Sequence, residues 1–100
     1  MPAPPTTDAV RARLAALLPE LRERYGVRAL AIFGSYARGE QTAESDLDVL
    51  VEFDRTPSLY AFVGLGLDME EAMGLKVDLA TRPVRDVRFE SAVERDLVRV

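Results

Sequence analysis

Val10, Leu14, Leu17, Leu18 and Leu21 recur at helical spacing, which places them on one face of a helix. A Pro-rich stretch over residues 1–7 precedes them and reads as a flexible arm, after which Thr7 or Asp8 can cap the helix. Pro19 removes a backbone donor and crowds the preceding turn, so a kink or restart is expected there, with Gly26 closing the helix in the left-handed conformation. VRALAIF, residues 27–33, is a short apolar run with the character of a buried strand, and it stops at Gly34. SDLDVLVEF, residues 45–53, alternates strictly: Asp46, Asp48, Leu50 and Glu52 fall on one face, and Leu47, Val49, Val51 and Phe53 on the other, which is the core face.

A second helical pattern runs from Ser58 to Met73, with Leu59, Phe62, Val63, Met69 and Met73 as its inward positions and Gly74 as its stop. Gly64 and Gly66 each cost such a helix about 1 kcal/mol. LKVDLA, residues 75–80, predicts a third strand. VRDVRFESAVERDL, after Pro83, predicts a closing helix, and VRV at the C-terminus a short edge strand. The order is that of an α/β or α+β layer with helices packed on one sheet, in a single domain over residues 8–100. The connection over residues 33–45 is too long for a tight hairpin, which leaves the sheet antiparallel or mixed.

Composition narrows the chemistry. The 100 residues are 48% hydrophobic and 30% charged, ordinary for a globular domain but with room for one site only. With no Cys and no His, disulfides, thiolate nucleophiles, Cys/His zinc sites and imidazole catalysis are excluded. Any metal ligands are therefore oxygens, which favour Mg²⁺, Mn²⁺ or Ca²⁺. The net charge of -4 argues against general nucleic-acid binding, though not against a small anion carried with a cation. No apolar run approaches the roughly 20 residues of a membrane span, and the N-terminus lacks the pattern of a secretory leader, so a cytoplasmic location is expected.

Asp46 and Asp48 stand out against this background. Residues two apart on a strand project from one face, with Cα atoms roughly 6–7 Å apart, so the two carboxylates repel unless a cation lies between them. Taken alone, Asp-x-Asp also describes a solvated strand edge. Gly34 and Ser35, at the end of the preceding strand, offer backbone N–H groups and a hydroxyl to an anion, although strand-Gly-Ser-turn is common punctuation too. Asp78 interrupts the apolar run of the third strand. If that strand lies beside the Asp46/Asp48 strand, three carboxylates meet, the arrangement that two Mg²⁺ ions need for in-line nucleotidyl transfer.

Gly34-Ser35, ten intervening residues, then Asp46-x-Asp48 resembles the signature of the polymerase-β-type nucleotidyltransferase superfamily. With FGSYARGE, SDLDVLVEF and KVDLA around it, the chain looks like the minimal nucleotidyltransferases (MNT, or MntA-like) from about residue 10 to the C-terminus. The resemblance implies a polymerase-β-like fold, a small mixed sheet with helices packed on it. It implies that Gly34 and Ser35 hold the β and γ phosphates of ATP, that Asp46 and Asp48 bind Mg²⁺, and that Asp78 is the third acid of a two-ion site. Arg38 matches the basic residue of the GSxARG segment, where it would meet triphosphate or partner; equally, it is a surface arginine paired with Glu40 or Glu44.

Proteins of this kind are commonly antitoxins encoded beside a helical HEPN ribonuclease toxin, and some transfer AMP from ATP to a tyrosine of that toxin. The resemblance thus implies an enzyme that modifies a HEPN partner. A second reading is a binding module that neutralises the partner by contact, with a vestigial acidic site. A third, transfer to an aminoglycoside or similar small molecule, would normally need an acceptor-binding domain for which 100 residues leave no room.

Overall fold

The computed structural model describes residues 3–81 and 97–100. Helix α1 (Thr7–Tyr25) is followed by β1 (Val27–Phe33), the short helix α2 (Gly34–Arg38), β2 (Leu47–Phe53), α3 (Leu59–Met73), β3 (Val77–Thr81) and β4 (Val98–Arg99). The four strands form one sheet in the order β3-β2-β1-β4. β1 runs antiparallel to β2 and β4, and β2 runs parallel to β3, so the sheet is mixed. VRV does form an edge strand on β1, while the closing helix expected after Pro83 lies outside the described residues.

Several local signals act as the sequence predicts. Gly26, at φ 71°, ends α1 in the left-handed conformation, and its N–H returns to the Arg22 carbonyl at 3.0 Å. Gly74 closes α3 as expected, while Ser58, read as the first residue of that helix, is its cap and accepts from the Ala61 N–H at 3.0 Å. Two expectations for α1 need correction. Its cap is Thr6, one residue earlier than expected, whose hydroxyl accepts from the Ala9 N–H at 3.1 Å. Pro19 does not restart the helix: α1 continues through it, anchored by buried Val10 and Leu14 on one side of the proline and Leu21 on the other. Burial of such side chains contributes about 1.5–3 kcal/mol each, enough to offset a missing intrahelical bond.

One face of the sheet carries the main core. Leu30 and Ile32 of β1 and Leu47, Val49 and Val51 of β2 pack with Val10, Leu14 and Leu21 of α1 and Leu65, Met69 and Met73 of α3. The inward face of α3 is rotated from the one expected. Met69 and Met73 are buried as read from the sequence, but Leu65 takes the third place, whereas Leu59 is 78% exposed and Val63 is exposed too. Phe62 is half-buried against Phe53, with ring centroids 6.3 Å apart. In a helix so rich in apolar residues, periodicity allows more than one inward stripe, and the fit against β3 and α1 selects among them.

The opposite face of the sheet is not simply polar. Leu50, expected on the acidic side of β2, is only 3% exposed, packed with Ala31 and flanked by Phe33, Ala80 and Leu97. The acidic residues therefore share their face with a second, smaller apolar cluster.

Candidate active site

Strand register brings the distant motifs together. Phe33, the last residue of β1, pairs with Asp48 near the start of β2, and Asp48 pairs with Asp78 on the parallel strand β3. The end of the Gly-Ser strand and two of the three aspartates thus meet at one end of the sheet. Asp78 and Asp48 sit side by side although they lie 30 positions apart in the chain. Leu47 N–H donates to the Lys76 carbonyl at 2.8 Å, which ties the starts of β2 and β3 together, and the Glu70 carboxylate accepts from the Val77 N–H at 3.0 Å.

Asp46 is placed differently from its partners. β2 begins at Leu47, so Asp46 precedes the strand and is exposed, as Asp78 is, while Asp48 is half-buried. Among the described residues no three acidic side chains close around a common point. That is compatible with Mg²⁺, which is usually held by one or two carboxylates together with waters and substrate phosphates.

The electrostatics show what the site lacks. The Asp48 carboxyl is pushed above the ordinary carboxylate range, first by burial, then by the negative charges of Asp78 and Asp46; the Arg38 guanidinium opposes the rise. Leu50 and Ala80, two residues along from Asp48 and Asp78 and so on the same face, belong to the second apolar cluster, and Gly34 lies directly against the Asp48 carboxylate. A half-buried carboxylate with two acidic neighbours is a site short of positive charge, and its donors are all hard oxygens. The residues present fit a divalent cation.

Gly34 faces Asp48 directly. Its φ is 73°, and a Cβ added there would lie 3.1 Å from Asp48 Cγ and 3.4 Å from Asp48 Cβ, with carboxylate oxygen Oδ2 nearer still. The glycine thus supplies both the left-handed turn and the room for the carboxylate. Ser35 follows on α2, half-buried. Arg38, at the last position of α2, donates from Nε to Glu40 Oε2 at 3.0 Å, with both side chains well exposed. The pairing with Glu40 is the one the surface reading of this arginine expected, and its charge also reaches Asp48.

The sequence did not single out Tyr36. Between Ser35 and Arg38, its side chain is 1% exposed and locked into the main core, so it fastens α2 to the body of the protein. An aromatic residue directly after Gly-Ser was the available signal.

Residues 14–99 match the nucleotidyltransferase domain family. The chain is 41% identical over 95 residues to the protein adenylyltransferase MntA of Thermococcus cleftensis, covering 95% of this chain and 96% of that one. Among solved structures, one described as a minimal nucleotidyltransferase superposes with a TM-score of 0.79 at 33% identity, covering 96% of this chain and 97% of the other. The tri-AMPylated Shewanella oneidensis HEPN toxin in complex with its MNT antitoxin matches with a TM-score of 0.68 at 18% identity, covering 94% of this chain and 71% of that one, a likeness of fold. The family match over residues 14–99 and the 41% identity over nearly the whole of both chains show that the chain belongs to the nucleotidyltransferase domain family, as a small nucleotidyl-transferring enzyme homologous to the protein adenylyltransferase MntA.

Proposed function

We propose that this protein is an antitoxin that transfers AMP from ATP, with Mg²⁺, to a tyrosine hydroxyl of a HEPN-family toxin. The observation that carries the reading is the placement of Asp48, which lies against Gly34 on one side and pairs with Asp78 on the other. In this reading Gly34 and Ser35 receive the β and γ phosphates, the glycine by close backbone approach and the serine through its hydroxyl. Asp46, Asp48 and Asp78 hold the metal, and Arg38 adds positive charge beside the triphosphate. Two bound Mg²⁺ ions would polarise the α-phosphate and lower the pKa of the acceptor hydroxyl.

The chemistry is an in-line displacement. The acceptor oxygen forms a bond to the α-phosphorus as the bond to pyrophosphate breaks, and the hydroxyl proton leaves to a carboxylate or to water. The contribution of the chain is positional: the sheet register sets the carboxylates side by side, and the Gly-Ser turn orients the triphosphate against them. With the acidic end of the sheet solvent-facing at Asp46 and Asp78, the acceptor can approach from outside.

The test is intact-mass measurement of this protein and of the HEPN protein encoded beside it, after incubation with Mg²⁺ and each nucleoside triphosphate in turn. The expected result is added AMP on the partner with ATP, absent with Asp48→Asn and with chelator. Co-purification with no mass change on either chain would refute transfer and leave a contact-only antitoxin.

A further inference from the structure

α2 has only five residues, too few for a helix to persist on its own hydrogen bonds, so whatever holds it also holds the Gly-Ser turn. Its C-terminal carbonyls are capped locally: Glu40 N–H donates to the Ser35 carbonyl at 2.9 Å, and Gly39 N–H to the Tyr36 carbonyl at 3.3 Å. Two longer-range ties come from the start of the chain. The Thr7 hydroxyl donates to the Tyr36 carbonyl across 29 residues, and Gln41 Nε2 donates to the Pro5 carbonyl at 3.1 Å across 36. The two adjacent threonines divide the labour. Thr6 caps α1 through the Ala9 N–H, which leaves the Thr7 hydroxyl to reach another element.

From this geometry we infer that Thr7 is a positioning residue for the nucleotide turn, acting through the Tyr36 carbonyl, with Gln41 as a second strap on the same segment. Tyr36 immediately follows Ser35 and stands two residues before Arg38, so a shift of its carbonyl moves both. The Tyr36 side chain anchors α2 by burial, which is non-directional, whereas a hydrogen bond to its carbonyl adds a directional tie that fixes the orientation of the turn. The inference rests on the proposed reading of Ser35 and Arg38 as nucleotide contacts.

The experiment compares the full chain with Thr7→Val, which keeps the branched shape without the hydroxyl, and Thr7→Ser, which keeps the hydroxyl. Two quantities are read: amide hydrogen exchange at residues 35–39, and calorimetric affinity for magnesium AMP-PNP. Thr7→Val is expected to speed exchange in that segment and weaken nucleotide affinity, each by about threefold to tenfold, the size of one ordinary hydrogen bond. Exchange at Val49 and Val51 stays unchanged, and Thr7→Ser restores both quantities. Unchanged exchange and affinity in Thr7→Val would overturn the inference, as would faster exchange spread through β2, which marks a merely structural role. Wild type that fails to bind magnesium AMP-PNP would instead refute the nucleotide reading and take this inference with it.

Discussion

Replacing Gly34 with alanine separates the two jobs that this residue performs. The first is conformational: a φ of 73° in an L-residue costs about 1–2 kcal/mol. Gly26, at φ 71°, carries the same requirement, with no atom within 4 Å of an added Cβ, and it lies at the start of β1, the opposite end from Phe33 and Asp48. Gly26→Ala therefore isolates the backbone term. For a domain of this size it should lower the melting midpoint by about 4–8 °C per kcal/mol, followed by circular dichroism.

Gly34→Ala should lose at least as much stability and add a second effect. The new methyl meets the Asp48 carboxylate, whose short side chain can only rotate away, carrying Oδ2 out of its place against Gly34. Displacing a reacting group by about 1 Å can cost about a hundredfold in rate, and a loss of that order is expected in AMP transfer measured by intact mass. Gly26→Ala, assayed below its midpoint, should transfer at the wild-type rate. If Gly34→Ala melts like Gly26→Ala and transfers within a few-fold of wild type, Asp48 is not held where the argument requires it.

Asp48→Asn should raise the melting midpoint of the metal-free chain at pH 7. Because the folded carboxyl titrates above its unfolded range, both states hold the proton at low pH; as pH rises past about 4 the unfolded chain ionises first, and Asp48 costs stability from there upward. The advantage of asparagine should vanish near pH 3 and shrink when Mg²⁺ and ATP are added; equal midpoints at pH 7 would contradict the charge argument. Met69→Ala, which opens the main core, should cost about 2–5 kcal/mol in urea unfolding, whereas Leu67→Ala on the exposed side of α3 should stay within about 0.5 kcal/mol. Gly66→Ala should stabilise the chain by about 0.5–1 kcal/mol, because an added Cβ reaches only ordinary contact with Leu79 at 3.5 Å; a lower midpoint would show that α3 has no room to accept it.

Much of what makes up the candidate site is legible as local pattern in the sequence. The ten-residue gap between Gly34-Ser35 and Asp46-x-Asp48 is a local fact, as are the strand ending at Gly34, the apolar alternation of β2 and the glycines that end α1 and α3. These follow from short-range sterics, in which a residue's own backbone and its near neighbours set the outcome. What the sequence left open was decided by contacts between distant segments. Asp78 became a neighbour of Asp48 through the parallel register of β3 on β2, and Leu50 was buried by a second cluster that alternation alone assigns to solvent. α3 turned Leu65 inward and Leu59 outward, and Thr6 rather than Thr7 capped α1 while Thr7 bonded to Tyr36. Periodicity orients a side chain about the axis of its own element, but only packing between elements determines which face meets which, and the raised pKa of Asp48 exists only once that packing has buried it beside two other acids.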